Sequence, residues 1–196
     1  MIKFGNVKVD SCTAIFNMSP ATECPSDRLG LCKMSKHCYA KKPEVDFRAA
    51  RVLPYRQAQR RYWFETSAEQ FVSDFIETIS ARRIKVTHFR VSESGDFHTQ
   101  KCVDKFATIA NLLKGHGIRT YAYTCRHDLD FSDRGALSIV GSGHMYDSQF
   151  IPTPNPEQAC ENARARGEKA FVCGSGCGGK CDACGEIGAK IYARIL

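Results

Sequence analysis

The chain has 196 residues, of which 43% are hydrophobic and 25% charged, with a net charge of +7. These proportions are those of an ordinary globular chain and exclude a low-complexity or fibrous one. No apolar run approaches the ~20 residues of a membrane helix, and the first ten residues lack the apolar core of a secretory signal, so a cytoplasmic location without membrane contact is expected. In that reducing compartment eleven cysteines point to thiolate ligation rather than disulfides.

In chain order, Cys12-Thr-Ala-Ile-Phe16 reads as a strand, with Cys12 either a core residue or a fourth ligand beside the next three cysteines. Cys24, Cys32 and Cys38 follow at C-x7-C-x5-C within an N-terminal cysteine loop spanning 12–40. This spacing is wider than the C-x2-C knuckles of structural zinc. Three thiolates on a loop beside an α/β sheet leave one iron of a four-iron cluster open. Arg48, Arg51, Arg56, Arg60 and Arg61 then alternate with Tyr55, Tyr62 and Trp63. That pattern suits a nucleic-acid backbone with bases stacked beside it, or a solvated helix face whose aromatics turn to the core.

Residues 67–79 carry apolar side chains at helical spacing, with Ser67 and Gln70 as a capping box. A strand is expected over 84–91, a helix over 99–114, and strands over 119–124 and 136–140. Asn155 and Pro156 open a further helix that Gly167 closes, and 169–172 is a short strand running into Cys173. Strands alternating with helices give an α/β fold with a parallel sheet. The strand count fits a single domain over 1–196 built as a partial (β/α) barrel, with cysteine-rich N- and C-terminal segments.

Functional groups of such folds gather at the carboxyl ends of the strands. Here those ends carry Ser92-Glu-Ser-Gly-Asp-Phe-His98, Thr124-Cys-Arg-His-Asp128, Gly141-Ser-Gly-His144 and the C-terminal cysteines, and all four are expected on one rim. Glu93, Asp96, His98 and His127 are candidate acids, bases or ligands. Gly95 would let the backbone approach a cofactor, and Arg126 could fork a phosphate or carboxylate. Cys173, Cys177, Cys181 and Cys184, within 169–185, have C-x3-C-x3-C-x2-C spacing with glycines between. Metal or cluster binding is expected there, iron–sulfur ahead of zinc. Cys102 and Cys160 read as helix-packing residues, and Cys125 falls on the rim. Whether the two cysteine sets share one centre stays open.

Cys24-Pro, Cys32, Cys38-Tyr-Ala, the basic segment, Phe89-Arg-Val-Ser-Glu-Ser-Gly-Asp-Phe97, Tyr121-Ala-Tyr-Thr124 and the closing cysteines together resemble the gene-product-88 family of phage and plasmid proteins. That family is similar to a looser group whose cysteine motif and partial barrel are like those of radical S-adenosylmethionine enzymes. The resemblance implies an iron–sulfur centre, four-iron in type, on a barrel rim. It gives Cys24, Cys32 and Cys38 as ligands, Glu93 and Asp96 as rim residues, and a host-cell cytoplasmic location. The chain departs from radical enzymes in lacking C-x3-C-x2-C in its N-terminal half and their cofactor-binding glycine motif. A cluster iron acting as Lewis acid in hydrolysis of a nucleic acid or nucleotide is therefore the leading expectation. Reductive cleavage of S-adenosylmethionine, or a non-catalytic metal-stapled nucleic-acid-binding protein, is the alternative.

Overall fold

A computed structural model describes residues 1–6, 9–174 and 181–194. Alternation along its strands separates two faces of one sheet. In β3 (His88–Val91) and β4 (Arg119–Thr124), Phe89, Val91, Thr120 and Ala122 are buried, while His88, Arg90 and Arg119 keep partial exposure. Paired positions of neighbouring parallel strands share a face, so Ala14 and Phe16 of β2 (Thr13–Phe16) join Phe89 and Val91. Leu137 and Ile139 of β5 (Leu137–Ser142) extend the same apolar face.

Helices cover that face. They are α3 (Ala49–Glu65), α4 (Ala68–Ser80) and α5 (Gln100–Gly115), preceded by the short α1 (Pro25–Arg28) and α2 (Lys42–Val45). Ser67 accepts from the Gln70 N–H as the cap of α4, while the Gln70 side chain turns instead to Asp74. The core is aromatic: Trp63 stacks on Phe106 at 4.0 Å, and Phe71 meets Phe16 edge-on at 5.0 Å. Cys102 is buried in this core, as expected for a packing cysteine.

The sheet has eight strands in the order β1-β2-β3-β4-β5-β6-β8-β7, with β1 (Lys3–Phe4), β6 (Ser148–Thr153), β7 (Ala170–Val172) and β8 (Ala189–Arg194) completing it. Every pairing is parallel except β1 with β2, and β1 and β7 are the two edges. α6 (Pro156–Ala165), capped by Asn155, packs Cys160 and Ala163 on Tyr192 of β8.

Two expectations change. The strand expected from residue 84 begins at His88, because its partner β2 begins only at Thr13. β7 lies at the sheet edge, with β6 and β8 between it and β5, so the strand end at Cys173 does not adjoin the other three. Both intervening strands lack a clear sequence signal. β6 contains Pro152, which lies beyond the last β5–β6 pair, Ser142 with Phe150, where a missing donor breaks nothing in that ladder.

Candidate functional site

Asp96 organises the carboxyl ends of β3 and β4. The turn leading to it closes tightly: Gly95 has φ +79°, and a Cβ there would lie 2.8 Å from the Ser19 nitrogen. Gly95 thus approaches protein, on the side where a ligand was expected. The turn drives the Asp96 carboxylate into the interior. There it accepts from Ser26 Oγ at 2.6 Å, Thr124 Oγ1 at 2.7 Å, the Phe97 N–H at 2.8 Å and the Cys125 N–H at 2.9 Å. Burial raises its pKa, and these four donors act against that rise. Ser26 follows Cys24 by two residues, so one carboxylate ties the N-terminal cysteine loop to the strand end bearing Cys125.

A thiol pair lies beside this tie, with a third thiol in electrostatic reach. Cys32 shares a side-chain hydrogen bond with Cys125 and lies within electrostatic reach of Cys24 and Asp96. Burial first, and then Asp96, push the Cys24 thiol up to about 12. The bond from Cys125 outweighs burial at Cys32 and brings it down to about 7, while Cys125 is pushed well up. Cys38 stands apart from that pair, but the Lys41 ammonium, held by Asp27 at 2.6 Å, senses both Cys38 and Cys24. Cys12 precedes β2 at its opposite end, ~13 Å of strand from the rim.

By chemistry these soft donors fit a thiophilic metal or an iron–sulfur cluster. By geometry the thiols are arranged pairwise: among the described residues no three His, Cys, Asp or Glu side chains converge as ligands of one ion.

Residues 3–139 match the family model described as Gene product 88. The chain belongs to the gene-product-88 family. No curated protein and no solved structure matched it in the same comparisons. The family match spans Cys24, Cys32, Cys38, Asp96 and Cys125 and ends before the C-terminal cysteines.

Of the other rim candidates in this family member, Glu93 is spent on the N-terminus: Lys3 Nζ lies 2.7 Å from Oε2, and Asn6 donates to Oε1 at 2.6 Å. Lys3 holds its carboxyl below the usual range against the opposing effect of burial. Arg126 forks Asp128 at 2.7 and 2.9 Å and donates to the carbonyls of Phe97 and His98, so its guanidinium is an internal clamp. His98 differs. Neither buried ring nitrogen has a hydrogen-bond partner among the described residues, and burial, then Arg60, Arg126 and Arg28, lower its pKa to about 4. His127 is exposed and meets the His144 ring at 5.6 Å. The three strand ends β3, β4 and β5 do converge, then, but Glu93, Asp96 and Asp128 are occupied, whereas the His98 ring nitrogens have no hydrogen-bond partner among the described residues.

The basic segment forms α3, and its aromatics turn inward. Trp63 is 1% exposed, Tyr62 donates to Asp74 and Tyr55 to the Met1 carbonyl. Arg56 is buried against Glu44, and Arg48 pairs with Asp46 at 2.5 Å. Arg51, Arg60 and Arg61 stay exposed, and Arg60 lies 5.7 Å over the exposed ring of Phe64. Of the expected five, three thus stay exposed, and Arg60, beside the exposed Phe64, also lies 3.4 Å from Glu23.

Of the C-terminal cysteines, Cys177 lies outside the described residues. Cys173 ends β7, its N–H on the Tyr192 carbonyl at 2.7 Å. Cys181 and Cys184 return to the sheet face away from the helices and line a pocket with His88, Arg90, Arg119, Tyr121 and Tyr123. Cys184 Sγ is 2.8 Å from Tyr123 Oη. Those five strand residues are absent from the sequence-based candidates. The signal was present in His88-Phe-Arg-Val and Arg119-Thr-Tyr-Ala-Tyr, where polar and apolar side chains alternate.

Proposed function

We propose that this protein is an iron–sulfur enzyme of hydrolytic type whose thiol centre, Cys24, Cys32 and Cys125, lies at the rim of a partial β/α barrel and serves a nucleotide or nucleic-acid substrate. The observation that carries the reading is the Cys32–Cys125 thiol pair, which joins the N-terminal cysteine loop to the end of β4 beside one buried carboxylate. Cys38, near Lys41, is the further N-terminal candidate ligand. The C-terminal set is a candidate for a second centre. A cluster bound at the rim would supply an electrophilic iron.

The chain's own residues have definable parts. Asp96 positions Cys125 and the loop between Cys24 and Cys32. His127, exposed and packed on His144, can exchange a proton with a substrate or water at the mouth. His98, neutral at pH 7, can accept or donate a hydrogen bond there. Arg51, Arg60 and Arg61 attract a polyanion.

Anaerobic purification with an absorption spectrum and with iron and sulfide analysis tests the centre. The expected result is iron with sulfide, lost in Cys32→Ser and Cys125→Ser and kept in Cys102→Ser. A protein that stays free of iron after anaerobic reconstitution overturns the reading, and one that takes up only zinc overturns its iron–sulfur form. A second reading, a metal-stapled protein without turnover, gains from one observation: Glu93, Asp96 and Arg126 all have internal partners. His127→Asn separates the two. Loss of hydrolysis with iron content unchanged supports the enzyme, whereas nucleic-acid binding without turnover in the iron-loaded wild type supports the staple.

A further inference from the structure

The sheet face away from the helices carries a cation-rich pocket that the thiol centre does not use. His88 and Arg90 of β3 and Arg119, Tyr121 and Tyr123 of β4 alternate onto it, and the segment Cys181–Gly185 closes its far side. One carboxylate reaches in: Asp182 Oδ2 lies 2.5 Å from Arg119 Nη1, and Oδ1 lies 3.4 Å from His88 Nε2. The Asp182 side chain is 62% exposed, so water competes for this pair and its contribution to folding is small.

Arg90 sits deeper. Its Nη2 donates to Tyr39 Oη at 3.1 Å, and its guanidinium lies 5.0 Å over the Tyr123 ring. Its Nε is buried with no acceptor among the described residues. A buried charged donor without an acceptor is costly and marks a place where an oxyanion belongs. Glu93, an acid that also acts on Arg90, is already held by Lys3 and Asn6. Two guanidiniums thus face a single, weakly held carboxylate.

We propose that this pocket binds a phosphate monoester and that Asp182 is an internal stand-in which the ligand displaces. A dianion matches two guanidiniums, whose forked donors suit phosphoryl oxygens, and the imidazole adds a further donor. Tyr121 and Tyr123 offer rings to the organic part of the ester. The backbone makes room for this arrangement. A Cβ on Gly185 would sit 1.2 Å from Arg119 Nη2, so glycine at this position lets the guanidinium lie beneath the chain. The binding groups are guanidiniums and an imidazole, set apart from Cys24, Cys32 and Cys125, so the test of this site does not depend on the rim thiols.

Isothermal titration of the full chain with inorganic phosphate, a nucleoside monophosphate and malonate tests it. Phosphate and the monophosphate are expected to bind, the monophosphate more tightly. Asp182→Asn should bind both about tenfold more tightly. Arg119→Gln and Gly185→Ala should each weaken binding about tenfold or more, the loss of a charge-assisted hydrogen bond. Thermal unfolding checks each fold. If Gly185→Ala unfolds, Arg119→Lys, which keeps the charge and loses the fork, should show the same weakening. No binding at millimolar concentration overturns the site. Malonate binding without phosphate binding overturns the ligand class, and unchanged affinity in Asp182→Asn overturns the stand-in. Metal content, measured on the same samples, reports separately on the thiol centre.

Discussion

Each Asp96 oxygen accepts two hydrogen bonds, Oδ1 from Thr124 and Phe97 and Oδ2 from Ser26 and Cys125. No lone pair is left for a proton-transfer role, so the residue is a positioning one. In Asp96→Asn the amide NH2 replaces one acceptor. Either hydroxyl can turn to accept from it, but the backbone N–H of Cys125 or Phe97 cannot. One buried donor is then orphaned, at a cost of about 1–3 kcal/mol. The expected result is a lower unfolding free energy in urea together with reduced iron content, because the cysteine loop loses its tie to β4. Full iron content with lost turnover would restore Asp96 as a catalytic residue. Glu93→Gln serves as the contrast, since its partner Lys3 is 39% exposed and the pair is worth about 1 kcal/mol or less. His98 gives a pH prediction. Its folded pKa, about 4, lies below the ordinary 6.5, so its contribution is complete above pH 6.5 and is lost as pH falls toward 4, where the unfolded chain takes up the proton first. The loss is of order 1–3 kcal/mol for this half-buried ring. Unfolding free energies of the wild type and His98→Asn between pH 7 and 4.5 should show the flatter profile in the variant.

At the scale of elements, the N-terminal cysteine loop is held to α3 by a buried ion pair. Glu44 of α2 accepts from the Ala21 N–H at 2.7 Å and the Thr22 N–H at 2.9 Å while pairing with Arg56, which also donates to the Ala40 carbonyl at 2.7 Å. The pair is 7% and 0% exposed. Removing one partner strands the other charge in the interior, so Arg56→Met or Glu44→Gln should cost about 3–5 kcal/mol. The double variant should lose less than the sum of the two, a coupling that a double-mutant cycle in urea measures. Additive losses would mean that the two side chains act separately. The sequence reading left Arg56 either on a nucleic-acid surface or on a solvated helix face, because a charge run does not show which arginine turns inward. Helical spacing left no such ambiguity for α4 and α5, where Phe71, Phe75, Phe106 and Leu113 mark one apolar face that the core uses. β6 and β8 were illegible for the opposite reason. One contains a proline beyond its neighbour's last pair, and the other directly follows a cysteine run.

Across the whole molecule, convergence of the β3, β4 and β5 ends was legible because parallel topology puts strand ends together whatever their residues. The partners of those residues were not legible, since Asp96 meets Ser26 across 70 positions and Glu93 meets Lys3 across 90. The same limit applies to charge. A net charge of +7 and five clustered arginines suggest a broad polyanion surface, but Arg48, Arg56 and Arg60 carry their own carboxylates, Arg60 through Glu23 at 3.4 Å. Arg51 and Arg61 remain exposed on α3 with no ion pair among the described residues, each able to release about one counterion from a bound strand. Binding of single-stranded nucleic acid should therefore fall with salt at a log–log slope of about −1.4, shallower than the roughly −3.5 that five contacts would give. Arg61→Gln should reduce the slope by about 0.7, whereas Arg48→Gln should leave it unchanged. Phe64→Ala should weaken binding by about 1–3 kcal/mol with no change in slope, because stacking moves no counterion. A fluorescence titration across a salt series reads both quantities at once. A slope near −3.5, or one sensitive to Arg48, would place the polyanion on a surface other than the Arg51–Arg61 face of α3.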